Sequence, residues 1–518
     1  MPDLLSLYAS TQPDKPAVID DRADAGITTW TYAELEAEAN RLANALVSLG
    51  VERGHKVIWC GPNSPQVVAV MGATRKIGAV AVPLNYRLTA EEAQYIVVHS
   101  DASVAYVDVD YTGLFATQGD VPLGNLRHVL VYGGTPPAGR LGEDLVANAS
   151  AEPPQEADAE QAGATMIYTS GTTGKPKGAY RNTTDQSTAV ALLGLIGYIP
   201  EDVYLTSGPL YHSGPSAFMG AGLAFGQTIV LQRKFEPEDW LRLVDTYQVS
   251  STFSAPPLIR LVCALPAEVK SRYDRSSMKR MLANAAPWSF ALKQAYLADF
   301  PADSLWEIYG STELGVNCVL EPQDQLRKPG SCGKPAPGVE IRLLDAAGNE
   351  VTGTGPDHPG ELFVRSTGVF DEYYKQPDSY EAARHGEFHT VGDIAYRDEE
   401  GFLYICDRKS DMIISGGMNI YPAEIEAALE QHRQIFDVAV FGIPSQEWGE
   451  QVHAAIVLAP GASLSEVDVM TFAREHLAGY KSPRSVSFMA ELPRTGSGKL
   501  LKRQLRAPYW AGHATKVG

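Results

Sequence analysis

Cysteine is scarce in this sequence. Five in 518 residues (Cys60, Cys263, Cys318, Cys332 and Cys406) form no CxxC pair and no metal-ligand spacing. That excludes a disulfide framework and a cysteine-bound zinc site, and it suits reduced, mostly buried thiols. Long apolar runs are missing too: the longest, residues 189–199, is about half a membrane span. The opening MPDLLSLYASTQPDKPAVID carries acids where a signal peptide would carry positive charge, so a cytoplasmic location is expected. Basic excess is absent as well, since 43 Lys and Arg face 62 Asp and Glu for a net charge of −19. Nucleic-acid partners and anionic membranes are thereby disfavoured, and an anionic substrate would need local basic pockets.

What is present is the composition of a soluble globular protein, 44% hydrophobic and 20% charged. Residues 33–50 place Leu35, Ala39, Leu42, Ala43, Leu46 and Leu49 at helical spacing with Gly50 as the stop. HKVIWCGPNS then reads as a short buried strand, and VVAVMGATRKIGAVAVPLN as a helix followed by another strand. The alternation continues through TIVLQ, DWLRLVDTYQ and STFSAPP, which predicts an α/β fold built on mainly parallel sheets. From about residue 330 the pattern shifts to short strands with Gly/Pro punctuation (VEIRLLD, GELFVRS, GFLYICD), expected to form a β-rich subdomain. After Arg408, AEIEAALEQH, DVAVFGIP, HAAIVLA and VDVMTFAREHL alternate as helix, strand, strand and helix. The expected organisation is a large multi-subdomain N-terminal domain, residues 1–409, and a small mobile α+β domain, residues 410–518, with the linker at 408–411.

One tract stands out. TMIYTSGTTGKPKGAYRN, residues 165–182, runs from an apolar strand into hydroxyls, glycines and lysines. Gly171 and Gly174 allow close backbone approach, Ser170, Thr172 and Thr173 offer hydroxyl donors, and Lys175 and Lys177 add charge. Walker A spacing is not met, because Pro176 follows Lys175 and the glycines are too close together. In isolation such a tract also suits a flexible loop; the strand before it tips the reading to a phosphate-binding loop.

YTSGTTGKPKG closely resembles the phosphate loop of the adenylate-forming superfamily, which includes acyl-CoA synthetases, peptide-synthetase adenylation domains and firefly luciferases. YGSTE at 309–313, VGDIAYRDEEGFLYICDRKSDMIISGGMNIYPAEIE at 391–426 and PRTGSGKLLKRQLR at 493–506 resemble further motifs of the same superfamily, in its order. The resemblance implies ATP, Mg2+ and coenzyme A as cofactors and a small carboxylic acid as substrate. Thr169 through Lys177 would wrap the β- and γ-phosphates. Thr312 would bond the α-phosphate and Glu313 would hold Mg2+. Tyr309, Gly310 and Ser311 would contact the nucleotide, Tyr309 offering a flat face for adenine beside Ala286 and Pro287, where NAAPW lacks the family's usual glycines. Asp393 and Arg408 would take the ribose. Lys499 would bridge the acid's carboxylate and the α-phosphate. Ser410 occupies the pivot, a departure from the usual Lys or Asp. Ser415, Gly416 and Gly417 would line a passage for pantetheine after the C-terminal domain swings.

For the acid, SGPLYHSGPSAF resembles the segment lining the acyl pocket, with His212 as its gate or wall. Gly214, Gly220, Gly222 and Gly226 are read as room for a bulky or long tail, favouring a medium- or long-chain fatty acid or an alicyclic acid, with aryl acids open. No Asp is present there to take a substrate ammonium, which disfavours amino acids. The bases among residues 481–506 (Lys481, Arg484, Arg494, Lys499, Lys502, Arg503, Arg506) are expected to serve CoA or ATP phosphates in part. An acyl-AMP ligase delivering to a carrier protein is the main alternative. A non-catalytic nucleotide binder and a luciferase-like oxygenase rank lower, and a homodimer stays open.

Overall fold

The computed structural model describes residues 4–23, 25–116, 123–154, 163–169, 175–182, 185–284, 286, 288–494 and 500–511. Among them the chain forms four sheets. The second helix, Tyr32–Ser48, shows how local sequence sets the elements. Thr31 and Glu34 close a capping box at its start, and Gly50 at φ 81° follows its end. Leu35, Ala39, Leu42 and Leu46 all turn inward from it.

The first large sheet pairs Lys56–Cys60, Val80–Leu84, Val104–Asp108 and His128–Tyr132 in parallel, then continues through Thr165–Thr169 to the antiparallel Lys177–Arg181. Val57, Ile58, Trp59 and Cys60 are buried in succession, as expected for a parallel strand covered on both faces. The second large sheet sets Val203–Thr206, Thr228–Leu231, Ser251–Ser254, Arg280–Ala283 and Leu305–Ser311 in parallel. Helices Tyr32–Ser48, Pro65–Lys76 and Ser213–Ala224 contribute to one core shared by both sheets, in which Leu42 and Val70 pack with Tyr106, Ile229 and Phe253.

A third, antiparallel sheet contains Glu340–Leu344, Gly360–Arg365, Asp393–Arg397 and Leu403–Arg408. The fourth pairs Ile435–Ser445 with Gly449–Leu458 and carries helices Pro422–Leu429 and Glu466–His476 in its own core. Among the described residues no helix is long and apolar enough to cross a membrane.

This arrangement positions one site. Strands Val203–Thr206, Ser251–Ser254, Arg280–Ala283 and Leu305–Ser311 end next to Gly208, Ala255, Asn284 and Thr312, and all four of these residues line a single cleft. Ligands of open α/β sheets bind at this carboxyl edge.

Candidate active site

The cleft encloses about 2710 Å³ and is bounded by both large sheets and by the chain beyond Arg408. Along strand Thr165–Thr169, Thr165, Ile167 and Thr169 face it, while Met166 points into the core. Opposite, Lys177, Ala179 and Arg181 alternate the same way. Thr169 pairs with Lys177 across the hairpin, so both ends of the connecting loop are fixed. Lys175 and Lys177 rest their ammonium groups 5.3 and 5.0 Å from the ring centres of Tyr95 and Tyr373. Ser170, Gly171, Thr172, Thr173 and Gly174 lie outside the described residues.

Thr312 and Glu313 sit in the turn between antiparallel strands Leu305–Ser311 and Gly315–Leu320. Gly310 is required there: a β-carbon would stand 2.1 Å from the Gly315 carbonyl oxygen. Ser311 Oγ accepts the Leu314 N–H at 3.0 Å and closes the turn. The Thr312 hydroxyl is 2.8 Å from Ser213 Oγ, and its carbonyl accepts Arg181 Nη2 at 2.8 Å. Glu313 Oε1 accepts two hydrogen bonds, from Thr169 Oγ1 at 2.9 Å and from the Tyr373 hydroxyl at 3.1 Å. Among the described residues no hydrogen bond falls on Oε2, and Glu313 lines the cleft.

Asp393 begins one strand and Arg408 ends its neighbour, and the two are register partners. Arg408 Nε lies 3.2 Å from Asp393 Oδ1, and the Tyr309 hydroxyl donates to Oδ2 at 2.5 Å. Tyr309 therefore holds the expected ribose acid, and its ring packs against the core of the third sheet; the described residues on the cleft wall include Gly310, Ser311 and Arg408 but neither Tyr309 nor Asp393. Ala286 is half-buried in a bend after strand Arg280–Ala283, and Pro287 lies outside the described residues. Behind this segment Lys293 pairs with Glu307, both buried, and Glu307 also accepts the Trp288 backbone N–H.

His212 lines the cleft at the start of helix Ser213–Ala224, its ring 4.5 Å from that of Tyr211. Burial, and then Arg87, push its pKa down to about 4, so it is a neutral wall at physiological pH. Its Nε2 is buried without a partner among the described residues.

Three of the four glycines expected to make room do not. A β-carbon at Gly214 would lie 2.3 Å from Phe253 Cζ. One at Gly222 would meet Gln227 Oε1 at 3.0 Å, and one at Gly226 would stand 2.5 Å from Tyr8 Cε1. Only at Gly220 is the space open. Phe253 in turn stacks on Phe218, ring centres 5.5 Å apart and 20° from parallel. Glycine here admits aromatic rings of the protein itself.

Beyond Arg408, Ser410 is exposed and its carbonyl accepts Arg506 Nη1 at 3.2 Å. Ser415 pairs with Met418 across a two-residue turn in which Gly416 and Gly417 have φ 57° and 80°. That conformation demands glycine. Gly416 also lies under Trp448, where a β-carbon would be 2.7 Å from the ring. Ser415, Gly416 and Gly417 are not among the described residues on the cleft wall. That wall instead includes Arg494, Leu500, Lys502 and Arg506. Arg494 and Leu500 bridge as antiparallel partners around Lys499, which lies outside the described residues.

The basic tract is largely neutralised. Lys481 pairs with Glu424 at 2.6 Å, Arg494 with Asp437 at 2.7 Å, Lys502 with Glu426 at 2.8 Å, and Arg506 with Asp411. Arg484 lies over the Trp448 ring at 4.8 Å. Four of these bases thus tie the C-terminal unit together, while Arg494, Lys502, Arg503 and Arg506 also line the cleft.

Sequence reasoning missed Tyr373, Arg181, Ser213 and the Lys293–Glu307 pair. Arg181 alone left a signal, continuing the alternation of Lys177 and Ala179 down the strand after the loop.

Residues 6–374 match the family described as AMP-binding enzyme, and residues 424–499 the AMP-binding enzyme C-terminal domain. A feruloyl-CoA synthase of Amycolatopsis sp is 34% identical over 93% of this chain and 95% of the relative. A fatty acid–[acyl-carrier-protein] ligase of Streptomyces coeruleorubidus is 31% identical over 99% of this chain and 97% of its own. The crystal structure of an anthranilate CoA ligase in complex with anthranoyl-AMP superposes with a TM-score of 0.87 at 25% identity, covering 98% of this chain and 96% of that one.

Proposed function

The chain belongs to the family of AMP-binding, adenylate-forming enzymes, and on that premise we propose that it joins a compact aromatic carboxylic acid to coenzyme A through an acyl-AMP. It is an acid–thiol ligase whose cofactors are ATP, Mg2+ and coenzyme A. The observation that supports the choice of acid is the packing of Phe253 into Gly214 and onto Phe218, which narrows the room beside helix Ser213–Ala224.

A carboxylate is anionic and resonance-stabilised, so a thiol cannot attack it directly at neutral pH. Transfer to AMP replaces the poor leaving group with a good one, provided two anions can be brought together and the charge on the α-phosphate offset. The hairpin loop 170–176, with Lys175 and Lys177, takes the β- and γ-phosphates. Thr312, pinned through Ser213 and Arg181, bonds the α-phosphate. Asp393 and Arg408 hold the ribose, with Tyr309 and Ala286 beside adenine. The free edge of Glu313 suits a hard cation, which when bound offsets phosphate charge. Among the described residues no cluster of three or more metal-ligating side chains exists, so phosphate oxygens and water would complete its shell. His212, neutral and unpartnered at Nε2, walls the acid.

The described flanks of Lys499 lie on the cleft wall, which supports the reading that this arrangement belongs to the first half-reaction. Rotation of residues 410–518 about Ser410 would then withdraw Lys499 and bring in the Ser415–Gly417 turn for thioester formation.

The test is AMP release across benzoate, a cinnamate, arylacetates and C8 to C16 fatty acids. Turnover with the aromatic acids and none with the longer chains is expected; the reverse would overturn the size argument. The second reading, a medium- or long-chain fatty acid or an alicyclic acid, is favoured by the fatty-acid ligase relative and by the open space at Gly220.

A further inference from the structure

Tyr373 has no part in the roles assigned above, yet its hydroxyl reaches the carboxylate at the centre of the site. Strand Glu372–Tyr373 pairs antiparallel with Lys177–Arg181, Tyr373 standing opposite Ala179. The neighbouring chain is stapled to the Thr312–Glu313 turn at several points. Phe370 N–H donates to the Glu313 carbonyl at 2.7 Å, Arg181 bonds the carbonyls of Gly368 and Thr312, and the Phe370 and Tyr373 rings meet edge to face at 4.6 Å. The phenol is thus delivered to Glu313 by backbone pairing, not by a mobile side chain.

The geometry at the carboxylate is asymmetric. Tyr373 and Thr169 both donate to Oε1, at 3.1 and 2.9 Å, one from each side of the phosphate-loop hairpin. A carboxylate with two donors on one oxygen has lost its freedom to rotate and exchange oxygens.

We propose that Tyr373 is a positioning residue: with Thr169 it occupies Oε1 of Glu313 and so commits Oε2 to the divalent cation that accompanies ATP. The inference rests on the reading of Glu313 as the cation's protein ligand. It assigns no contact between Tyr373 and substrate. Its consequence is a cation site already aimed before ATP arrives, and one physically tied to the strand that carries Lys177.

Tyr373→Phe removes the hydroxyl and keeps the ring that packs on Phe370 and under Lys177. The readout is Mn2+ affinity, followed by electron paramagnetic resonance in the complex with a non-hydrolysable ATP analogue, alongside AMP affinity without metal and the apparent Tm. Losing one hydrogen bond to a charged group should weaken Mn2+ about tenfold, leaving AMP affinity and Tm as in the parent. Equal weakening of Mn2+ and AMP would reduce Tyr373 to a structural residue, and unchanged Mn2+ affinity would remove the role altogether; either overturns the proposal. If Tyr373→Phe does not fold, Tyr373→Leu, which also lacks the donor and keeps an apolar side chain against Phe370, is read by the same criterion. Glu313→Gln separates the two levels. If it too leaves Mn2+ affinity unchanged, the assignment of Glu313 fails; if it abolishes Mn2+ binding while Tyr373→Phe does nothing, only the inference fails.

Discussion

Gly214→Ala sets two physical effects against each other. Gly214 lies in the first turn of helix Ser213–Ala224, where alanine is the better helix former by about 1 kcal/mol. The added carbon would sit 2.3 Å from Phe253 Cζ and 2.9 Å from two further ring atoms. Ordinary contact begins near 3.4 Å, so the ring or the helix must yield by 3.4 − 2.3 = 1.1 Å. The Phe253 ring cannot simply turn aside, because it is buried and stacked on Phe218. Overpacking of this kind costs about 1–3 kcal/mol and outweighs the helix gain. The strain also travels: residue 213, next in the chain, holds the Thr312 hydroxyl at 2.8 Å. A displacement near 1 Å at a reacting centre costs on the order of 10²-fold in rate. The expected result is a lower Tm together with about a hundredfold loss of kcat/KM in acid-dependent pyrophosphate exchange, both partly restored by a second change, Phe253→Leu. Parent-like or improved activity and stability would refute the reasoning and return the glycine to its role as empty space.

Lys293→Met leaves Glu307 buried and unpaired behind the 284–288 segment; a loss of about 3–5 kcal/mol is expected. The double change Lys293→Met/Glu307→Leu should recover most of it, as read by thermal unfolding of the two variants. His212 and His453 are both pushed down to about 4 by burial, with Arg87 adding to the effect at His212. The unfolded chain protonates them near pH 6.5 and the folded chain resists until about 4. Stability is therefore fully present above pH 6.5 and declines as pH falls through that window, by on the order of 3 kcal/mol for His212. His212→Gln should flatten the dependence of Tm on pH between 6.5 and 4.5, and parallel curves would contradict this. Lys499→Ala is expected to block formation of acyl-AMP but spare thioester formation from supplied acyl-AMP; equal loss of both steps would refute that division of labour.

Much of the fold could be read from the chain because the signals are local. Val57 through Cys60 are consecutively apolar because their strand is covered on both faces, and Tyr32–Ser48 carries its own cap and stop. Asp393 and Arg408 could be found because their motif is contiguous, although their adjacency comes from strand register. Tyr373 was not legible, since its value depends on a two-residue strand pairing with a segment distant in sequence. Gly214 and Gly226 misled because a sequence shows a missing side chain and not the ring that fills its place. The ion pairs of the basic tract were not legible either: Glu424, Glu426, Asp437 and Asp411, which neutralise much of it, come from other elements.

The central claim is that this site makes an acyl-AMP and passes the acyl group to coenzyme A. The direct measurement is mass-spectrometric detection of acyl-CoA and AMP over many turnovers, using whichever acid of the panel drives AMP release, with and without CoA. Acyl-CoA and AMP accumulating in equal amounts only when CoA is present is the predicted result. A single burst of acyl-AMP that CoA does not relieve would contradict the claim and point to a carrier protein as the acceptor.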